Sequence, residues 1–534
     1  MDEPGGSVGI QSDHPATLRL DPGKIRAERS VQERVRIQSG NLQLDSKKLR
    51  PQTMSPFKQI LFPLGLGVLS ITAYAAPPNI LFIVSEDNGP EMRCYGTPID
   101  TPHLDQLAKE GTLFRNAYVP QAGCSQSRAA FLTGLYPHQN GQIGLATWKY
   151  AMYSGKIKNV VKTLKQEGYR TGIIGKLHIN PGNAFPFDSK AIPKANFNRR
   201  DMSAYKEHAK RFFRESKKPF YLQVNFPDAH RPFIRQIDNL PAKPLTGKGV
   251  DAIPYMGINH PELRQQTADY YNCMMRLDTY IGQLLGALED SGREKDTVVV
   301  YIGDHGADLL RGKRTSYEGG VKIPMIIRWP GAKNGQRRKE LVSTLDLYPT
   351  FCEIAGIQIP QTLVGRSLKS IVHGETPKWR EYLFTEFHVH SNHNPWPQRT
   401  VRDARYKLIH NPLSGKTNPG YAFTMGKKFF ATSEAELLAA ANDQVRAAYL
   451  LMKEPPLYEL YDLQSDPFEF KNLADDPAHA KTHTRLVEAL LHWQKDTGDP
   501  LKHPGLAHKL FNMIRDAGTA NRKALDYKAF MKIR

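Results

Sequence analysis

Polar side chains that a hydrophobic core does not need stand directly after four predicted strands. They are Glu86-Asp87, Lys176 with His178, Asp228 with His230, and Asp304-His305. In an open α/β sheet the carboxyl ends of parallel strands share one edge, and ligands bind in the crevice there. We therefore expect the four clusters to converge on one site. Each cluster alone is as consistent with a helix cap or a solvated turn.

The pairs Glu86-Asp87 and Asp304-His305 predict a metal site. Glu86, Asp87 and Asp304 offer carboxylate oxygens, and His305 offers an imidazole nitrogen. Carboxylates suit a hard cation, so the prediction is one divalent ion, Ca²⁺ or Mg²⁺ first, while the imidazole leaves Zn²⁺ or Mn²⁺ open. A second set of Asp and His ligands, which a two-zinc phosphatase needs, is not apparent in the sequence.

A cysteine and an arginine stand at the predicted start of a helix, in the segment Gly123-Cys124-Ser125-Gln126-Ser127-Arg128. Cys124 and Arg128 are four residues apart and share a face if the first turn begins at the cysteine. A helix N-terminus beside a guanidinium is an anion site. From these residues alone, Cys124 is either a reactive thiolate or an ordinary buried cysteine.

The elements that must position these groups follow an α/β pattern from residue 79 onward, with a largely parallel sheet. The predicted strands are 79–84, 171–174, 220–225, 297–302 and 323–329, and the predicted helices are 104–110, 127–132, 157–166, 204–215 and 262–288. Beyond about Thr376, short aromatic strands at 382–387, 406–409 and 457–461 precede an amphipathic helix at 484–493. We predict a large domain over 76–375 and a smaller α+β domain over 376–534 that ends in a basic tail.

Composition and charge favour an anionic partner. The chain has 534 residues, 40% of them hydrophobic, and a formal net charge of +20. That content can bury a large core, so the chain is not a disordered one. The charge suits nucleic acid, anionic lipid, or a sulfated or phosphorylated glycan. No zinc-finger spacing or RNP-like motif supports nucleic acid, so we expect none as a partner.

The N-terminal region predicts export. Lys58, an apolar run at 60–71 and Ala73-Tyr74-Ala75 indicate a signal peptide over 54–75, with the mature chain beginning near Ala76. The run is shorter than the ~20 residues of a membrane span, so we expect no stable membrane insertion. Residues 1–53 are either a disordered extension or lie upstream of the true start at Met54. No Asn-x-Ser/Thr sequon occurs and the four cysteines make no disulfide framework, which favours bacterial export to the periplasm or medium.

The motifs together resemble the sulfatase family, over about residues 77–500. Cys124-x-x-x-Arg128 followed by Ala-Ala-Phe-Leu-Thr-Gly134 is similar to the family signature. The motifs that agree with it are Thr101-Pro102-His-Leu-Asp-Gln-Leu, Gly175-Lys176-Leu-His178, Asp304-His305-Gly306, residues 312–320, and the late segment 459–472. The resemblance implies an alkaline-phosphatase-like fold and a cysteine oxidised to formylglycine by a formylglycine-generating enzyme. Gln126 stands where the signature usually has Pro or Ala, and Glu86 where the usual pair is Asp-Asp.

The resemblance also implies residue roles. Arg128, Lys176 and Lys313, with the metal, would neutralise the sulfate oxygens; His178 would take a proton from the hydrated aldehyde, and His230 or Lys313 would protonate the leaving group.

The substrate expected from the resemblance is a sulfated glycan. Segments 137–141, 169–176 and 457–500 are most similar to N-sulfoglucosamine sulfohydrolases, which predicts the N-sulfate of glucosamine in a heparan-type chain. We expect His388, His390, His393 and Arg399 to line the pocket rim. The alternatives are an O-sulfatase of another polysaccharide, a phosphodiesterase or phosphonate hydrolase of the same superfamily, and an inactive glycan-binding homologue.

Overall fold

The computed structural model describes residues 77–426, 429–520 and 522–532. The predicted extension 1–53 and the predicted signal peptide 54–75 lie outside the described residues. Within those three ranges, no helix combines the length and the apolar character needed to cross a membrane.

Thirteen strands of the described residues form two sheets. They are β1 (Asn79–Ser85), β2 (Thr112–Tyr118), β3 (Arg170–Ile174), β4 (Ser189–Ala191), β5 (Phe220–Phe226), β6 (Thr297–Gly303), β7 (Lys322–Arg328), β8 (Gln336–Arg338), β9 (Val342–Ser343), β10 (Leu383–Phe387), β11 (Gln398–Arg402), β12 (Tyr406–His410) and β13 (Tyr458–Asp462). The larger sheet has the order β4-β3-β5-β1-β6-β7-β2-β8, and β9 also pairs with β2. The smaller sheet has the order β10-β11-β12-β13.

The α-helices of the described residues connect and cover these sheets. They are α1 (Pro102–Glu110), α2 (Cys124–Thr133), α3 (Pro137–Asn140), α4 (Val160–Gln166), α5 (Ala204–Glu215), α6 (Pro261–Asp290), α7 (Glu318–Val321), α8 (Leu347–Ile354), α9 (Lys369–Val372), α10 (Pro419–Met425), α11 (Glu434–Ala439), α12 (Asp443–Lys453), α13 (Ala480–Asp496), α14 (Pro504–Ala517) and α15 (Lys528–Met531).

The central strands are covered on both faces. Every residue of β1, β5 and β6 is buried, as expected for strands of a parallel sheet between two helical layers. Side chains alternate between the faces along a strand. Ile80 and Phe82 join a cluster with helices α2, α4 and α8, whereas Leu81 and Ile83 join a cluster with α1, α5 and α6.

The strand register places the predicted polar clusters at one edge. β1 is parallel to both of its neighbours, and Ser85 at its end lies opposite Phe226 of β5 and Gly303 of β6. The residues after these three strands therefore leave the sheet side by side. β7 and β2 differ from this pattern because β7 runs antiparallel to β6 and to β2. The sheet is mostly parallel rather than wholly so.

The C-terminal part consists of an antiparallel sheet and a helical tail. Leu486, Leu490 and Trp493 of α13 pack with Leu408 and Leu460 of the smaller sheet. The segment after residue 500, for which the sequence predicts only a basic tail, forms α14 and α15. Residues of these helices pack with Ile143 and Tyr150, and the Tyr527 hydroxyl donates to the Gly141 carbonyl at 2.9 Å.

Most predicted elements are confirmed with boundaries shifted by a few residues. The predicted smaller α+β region with its own sheet is also confirmed. Strands β2, β4, β8, β9 and β11 were not predicted. A domain boundary at 375/376 stays a prediction, since one hydrophobic cluster contains both Leu81 of the larger sheet and Tyr461 of the smaller one.

Candidate active site

The polar clusters after β1 and β6 meet through short backbone links. The Asp304 amide donates to the Ser85 carbonyl at 2.9 Å, and the Asp87 amide donates to Asp304 Oδ1 at 2.9 Å. The Glu86 amide donates to the Asp228 carbonyl after β5 at 3.0 Å. Glu86, Asp87 and Asp304 are fully buried. The predicted convergence of these clusters is therefore observed.

Asp228 is the exception among the strand-end residues. Its carboxylate accepts hydrogen bonds from the buried guanidinium groups of Arg199 and Arg276, at 2.8 to 2.9 Å. These two charges hold the pKa of Asp228 low against the opposing effect of burial. Asp228 therefore holds the loop after β5 through its two arginine partners. His230 is the residue of that cluster that lies near Asp87 in the site.

Lys176 reaches the site through a glycine turn. Gly175 after β3 has φ +90, and a Cβ there would lie 2.4 Å from the Asn225 carbonyl oxygen. Only glycine combines that conformation with that close approach. The turn lets the Lys176 ammonium donate to Glu86.

Helix α2 begins at Cys124 and buries all of its residues. The condition on which Cys124 and Arg128 share a helix face is met, because the helix begins at Cys124 and the two residues are four apart. Arg128 donates to Asp304 Oδ2 at 3.1 Å and to Glu86 Oε1 at 2.9 Å, and its remaining amino group donates to Asn225 Oδ1 at 2.8 Å. The guanidinium thus links the ends of β1, β5 and β6 beneath the cysteine.

Positive charge surrounds the Cys124 thiol. Lys313 donates to both oxygens of Asp87, at 2.9 and 2.8 Å, and the Cys124 sulfur lies 3.4 Å from His305 Nε2. Burial raises the pKa of the thiol, but Lys176, Lys313 and His305 outweigh it and hold the pKa of Cys124 well below its usual range. This environment favours the thiolate form of an unmodified Cys124.

Two histidines have fixed ring orientations. His305 Nδ1 donates to the Gly306 carbonyl at 2.9 Å, and His230 Nδ1 donates to the Arg231 carbonyl at 2.6 Å. A carbonyl only accepts, so in the neutral ring the other nitrogen, Nε2, carries the free lone pair. His305 Nε2 lies 3.3 Å from Asp87 Oδ1, and His230 Nε2 lies 3.9 Å from Asp87 Oδ2.

The site contains buried ring nitrogens that lack a well-formed hydrogen bond among the described residues. They are Nδ1 and Nε2 of His178 and Nε2 of His390. Both rings interact with Cys124. Burial, followed by the charge of Lys176, lowers the pKa of His178 to about 4, so its imidazole is neutral near pH 7. Buried polar atoms without well-formed hydrogen bonds cost free energy, so these nitrogens are available to a polar group placed beside them.

The donor set fits a divalent cation. Ligand atoms of Asp87, Cys124, Asp304 and His305 lie within 4.8 Å of one another, and a second group of Glu86, Asp87, Cys124 and His230 overlaps it. Burial disfavours the His305 imidazolium, but Asp304 and Asp87 outweigh that penalty and raise the pKa of His305 to about 9. Buried carboxylates that attract a proton this strongly also attract a metal ion.

Arginines and aromatic rings surround the outer part of the site. Arg314 pairs with the Asp308 carboxylate, and Arg231 donates to the Asp308 carbonyl at 2.8 Å. Both guanidinium groups lie 5.2 Å from the Phe429 ring centre. The Arg231 guanidinium also lies 3.8 Å from Asp308 Oδ1, so two guanidinium charges share one carboxylate and this region keeps an excess of positive charge.

His393 lies beside this region. Its ring packs against Trp148 at 5.3 Å and stacks on Phe423 at 5.1 Å, and it is half-buried. Its predicted role in binding substrate stays a prediction.

The prediction that His388 and Arg399 line the pocket rim is wrong, because both are buried in an ion network. His388 Nε2 accepts from Arg399 at 3.0 Å, and Arg399 donates to both Asp499 oxygens at 2.7 Å. His388 is 0% exposed and Arg399 is 1% exposed. The two residues connect β10 and β11 to the segment after α13 and do not line a surface.

Sequence reasoning missed several residues around the centre. The sequence pattern identifies Asn225 only as a strand residue of β5 and gives no signal that it binds Arg128. Asp308 and Arg314 stand near the Asp304 and Lys313 motifs, and their positions could have suggested a contact. The sequence shows Gln126 only as a departure from the signature, whereas in the structure it is buried in the first turn of α2 beside Cys124.

Known proteins match both the centre and the rest of the chain. A family model for sulfatases matches residues 78–357, which include all four predicted metal ligands and Cys124. The chain belongs to the sulfatase family. A second family model, for the C-terminal part of N-sulphoglucosamine sulphohydrolase, matches residues 303–417 of this sulfatase. It is therefore a hydrolase of sulfate esters or sulfamates with the alkaline-phosphatase-like sulfatase fold.

Among its relatives, the N-sulphoglucosamine sulphohydrolase of Homo sapiens is 32% identical over 467 residues, which cover 80% of this chain and 91% of that protein. An ulvan-active sulfatase of Formosa agariphila is 30% identical, covering 80% of this chain and 82% of its own length. A solved structure in complex with its substrate D-glucosamine-2-N,6-O-disulfate has a TM-score of 0.61 and 23% identity. It covers 79% of this chain and 98% of its own. That likeness concerns the fold.

Proposed function

We propose that this sulfatase removes the N-sulfate of glucosamine from heparan-type fragments. The observation that carries the proposal is the match of residues 303–417 to the C-terminal model of N-sulphoglucosamine sulphohydrolase, together with 32% identity to the human enzyme of that name. The excess positive charge around Arg231 and Arg314 supports an anionic sugar as the ligand.

The nucleophile is proposed to arise from Cys124. A formylglycine-generating enzyme would oxidise this residue, and the hydrated aldehyde would supply a hydroxyl at the position where the thiol now lies beside His178 and His390. The unpartnered nitrogens of these two rings support the idea, because hydroxyl groups at residue 124 would give them hydrogen-bond partners.

Glu86, Asp87, Asp304 and His305 are proposed to hold one divalent cation, Ca²⁺ or another hard ion. Such an ion would lower the pKa of a hydroxyl at residue 124 and withdraw charge from the sulfate. Lys313 and Lys176 lie beside the carboxylates and carry charges that can also neutralise sulfate oxygens.

Proton transfers are assigned to two histidines. His178 is neutral near pH 7 and interacts with residue 124, so it suits a base that takes a proton there. His230 presents Nε2 toward the centre and remains 20% exposed at its side chain, so its imidazolium form, with a proton on Nε2 as well, suits an acid that protonates the departing nitrogen. A sulfamate leaves as an amine, which is a poor leaving group unless it is protonated.

The distal groups are proposed to bind the rest of the sugar. Arg231 and Arg314, which both approach the Phe429 ring, replace Arg399 and His388 as candidates, and His393 stays a candidate. Aromatic faces pack on sugar rings and guanidinium groups bind carboxylate or sulfate.

A second candidate function is the hydrolysis of an O-sulfate ester in another polysaccharide. The observation that favours it is the 30% identity to an ulvan-active sulfatase. For either substrate we propose export from a bacterial cell, supported by the apolar run at 60–71 and the small residues before Ala76.

Substrate release assays test the proposal. Purified protein is incubated separately with N-sulfoglucosamine, glucosamine 6-sulfate and a sulfated galactose, and inorganic sulfate is measured. Faster release from N-sulfoglucosamine than from either O-sulfated sugar is expected. Turnover of an O-sulfated sugar with none of the sulfamate would reject the N-sulfate assignment and favour the second candidate.

A further inference from the structure

Gln126 forms a hydrogen bond between helix α2, which carries Cys124, and the loop between β10 and β11. Its side-chain Nε2 donates to the Val389 carbonyl at 2.6 Å, and Gln121 donates to the same carbonyl at 3.1 Å. Gln126 is fully buried in the first turn of α2. The carbonyl that it holds belongs to the residue immediately before His390.

A glycine makes room for this arrangement. A Cβ at Gly123, the residue before α2, would lie 2.7 Å from Gln126 Oε1 and 2.9 Å from its amide carbon. The Gln126 amide therefore lies against the bare Cα of Gly123. Neither alanine nor proline at position 126 carries an amide that could donate to the Val389 carbonyl.

His390 is presented to the reaction centre by this loop. Its carbonyl accepts from the Leu145 amide at 2.9 Å, and its amide approaches Asn394 Oδ1 at 3.3 Å, so the backbone is held on both sides. Its buried Nε2 makes no well-formed hydrogen bond among the described residues, and the ring interacts with the Cys124 side chain and with the charge of Lys313. A buried ring nitrogen left unpaired is costly unless a bound group completes it.

We propose that His390 is a further catalytic residue of this sulfatase, and that Gln126 is a positioning residue that holds it against residue 124 through the Val389 carbonyl. The inference rests on the proposed function only in placing the reaction at residue 124. His390 gives a hydrogen bond to the sulfuryl group in transfer or to the hydroxyl at 124. Burial beside Lys313 and Arg314 favours the neutral His390 ring. His390 therefore contributes an oriented hydrogen bond to catalysis and not a positive charge.

Four forms of the purified protein test the pair: wild type, His390→Ala, Gln126→Ala and the double variant. Activity is measured on N-sulfoglucosamine or, if wild type prefers it, on glucosamine 6-sulfate. Each kcat is divided by the fraction of residue 124 present as aldehyde, which peptide mass spectrometry gives. This normalisation separates catalysis from maturation.

His390→Ala is expected to lower the normalised kcat/KM about 10- to 100-fold, because one directional hydrogen bond in the transition state is lost. Gln126→Ala is expected to lower it about tenfold. The double variant should resemble His390→Ala within about twofold, since Gln126 acts through His390. His390→Asn, which keeps a hydrogen-bonding group, should recover part of the loss.

His492→Ala is the matched control, because it removes an exposed histidine of α13 with its side chain 77% exposed. It should match wild type. A normalised His390→Ala activity within twofold of wild type overturns the catalytic assignment. Two results overturn the positioning role of Gln126. One is a Gln126→Ala variant whose normalised kcat/KM equals that of wild type. The other is a double variant whose loss in kcat/KM equals the product of the two single losses. If wild type acts only on the O-sulfated sugar, the N-sulfate assignment fails while the variant comparison on that sugar still decides this proposal.

Discussion

Replacing Asp304 by asparagine tests the metal site most sharply, because both oxygens of this buried carboxylate accept hydrogen bonds. Oδ2 accepts from Arg128 at 3.2 and 3.1 Å, and Oδ1 accepts from the Asp87 amide at 2.9 Å. An asparagine has one acceptor oxygen and one amino group. In either orientation of the asparagine amide, its NH₂ group faces a donor, which is the Arg128 guanidinium or the Asp87 amide. The substitution also removes one negative charge.

The magnitude follows from these contacts. Breaking a buried ion pair on one side costs about 3 to 5 kcal/mol. Because asparagine keeps one hydrogen bond, we expect the free energy of unfolding to fall by about 3 kcal/mol. Changes beside a metal ligand lower metal affinity roughly 10- to 100-fold, so losing a charged ligand should lower it by about 100-fold or more. Activity should fall by about 1000-fold or more, as for a lost electrostatic stabiliser.

The assay combines metal content by mass spectrometry of the dialysed protein, kcat/KM, and urea unfolding. Asp462→Asn is the matched control, since Asp462 also accepts two bonds from one arginine, Arg405, but lies in the smaller sheet. It should retain metal and activity. An Asp304→Asn protein with full metal content and wild-type kcat/KM would refute the assignment of Asp304 to the metal site.

Three further outcomes are expected. Burial raises the pKa of Glu91 to about 7, so the native state binds its proton more tightly than the unfolded chain and this group's contribution to stability is lost as pH rises from about 4.5 to about 7. Glu91→Gln should therefore raise the free energy of unfolding at pH 8 by up to about 3 kcal/mol and leave it unchanged at pH 4, as measured by urea unfolding; an equal effect at both pH values contradicts this. Arg399→Met should lower the free energy of unfolding by about 3 kcal/mol, because it leaves Asp499 buried and unpaired, while KM stays unchanged; a raised KM would return Arg399 to the substrate site. Removal of divalent ions by a chelator should abolish activity and lower the melting temperature, and readdition of Ca²⁺ or Mg²⁺ should restore both; activity that survives complete chelation excludes an essential metal.

The centre of the site could be predicted because parallel strands end at a common edge. Glu86, Asp87, Asp304 and His305 follow buried strands directly, so local pattern and sheet geometry suffice to bring them together. Cys124 and Arg128 are close in sequence on one helix, and a helical period alone places them in adjacent turns.

The errors arose where distant partners decide the outcome. Arg399 reads as a surface residue, but Asp499, one hundred positions later, neutralises it in the interior. Strand β2 is interrupted by Arg115 and Asn116 at a register shift, so its apolar run is too short to recognise. Strand β11 is polar along most of its length and is buried because its charges are paired.

The most direct test of the central account is the mass of the peptide that contains residue 124, taken from protein whose desulfation of N-sulfoglucosamine has been measured in the same preparation. We expect an aldehyde or its hydrate at residue 124, with specific activity proportional to the modified fraction across preparations. Full desulfating activity in protein whose residue 124 is entirely an unmodified cysteine would contradict it.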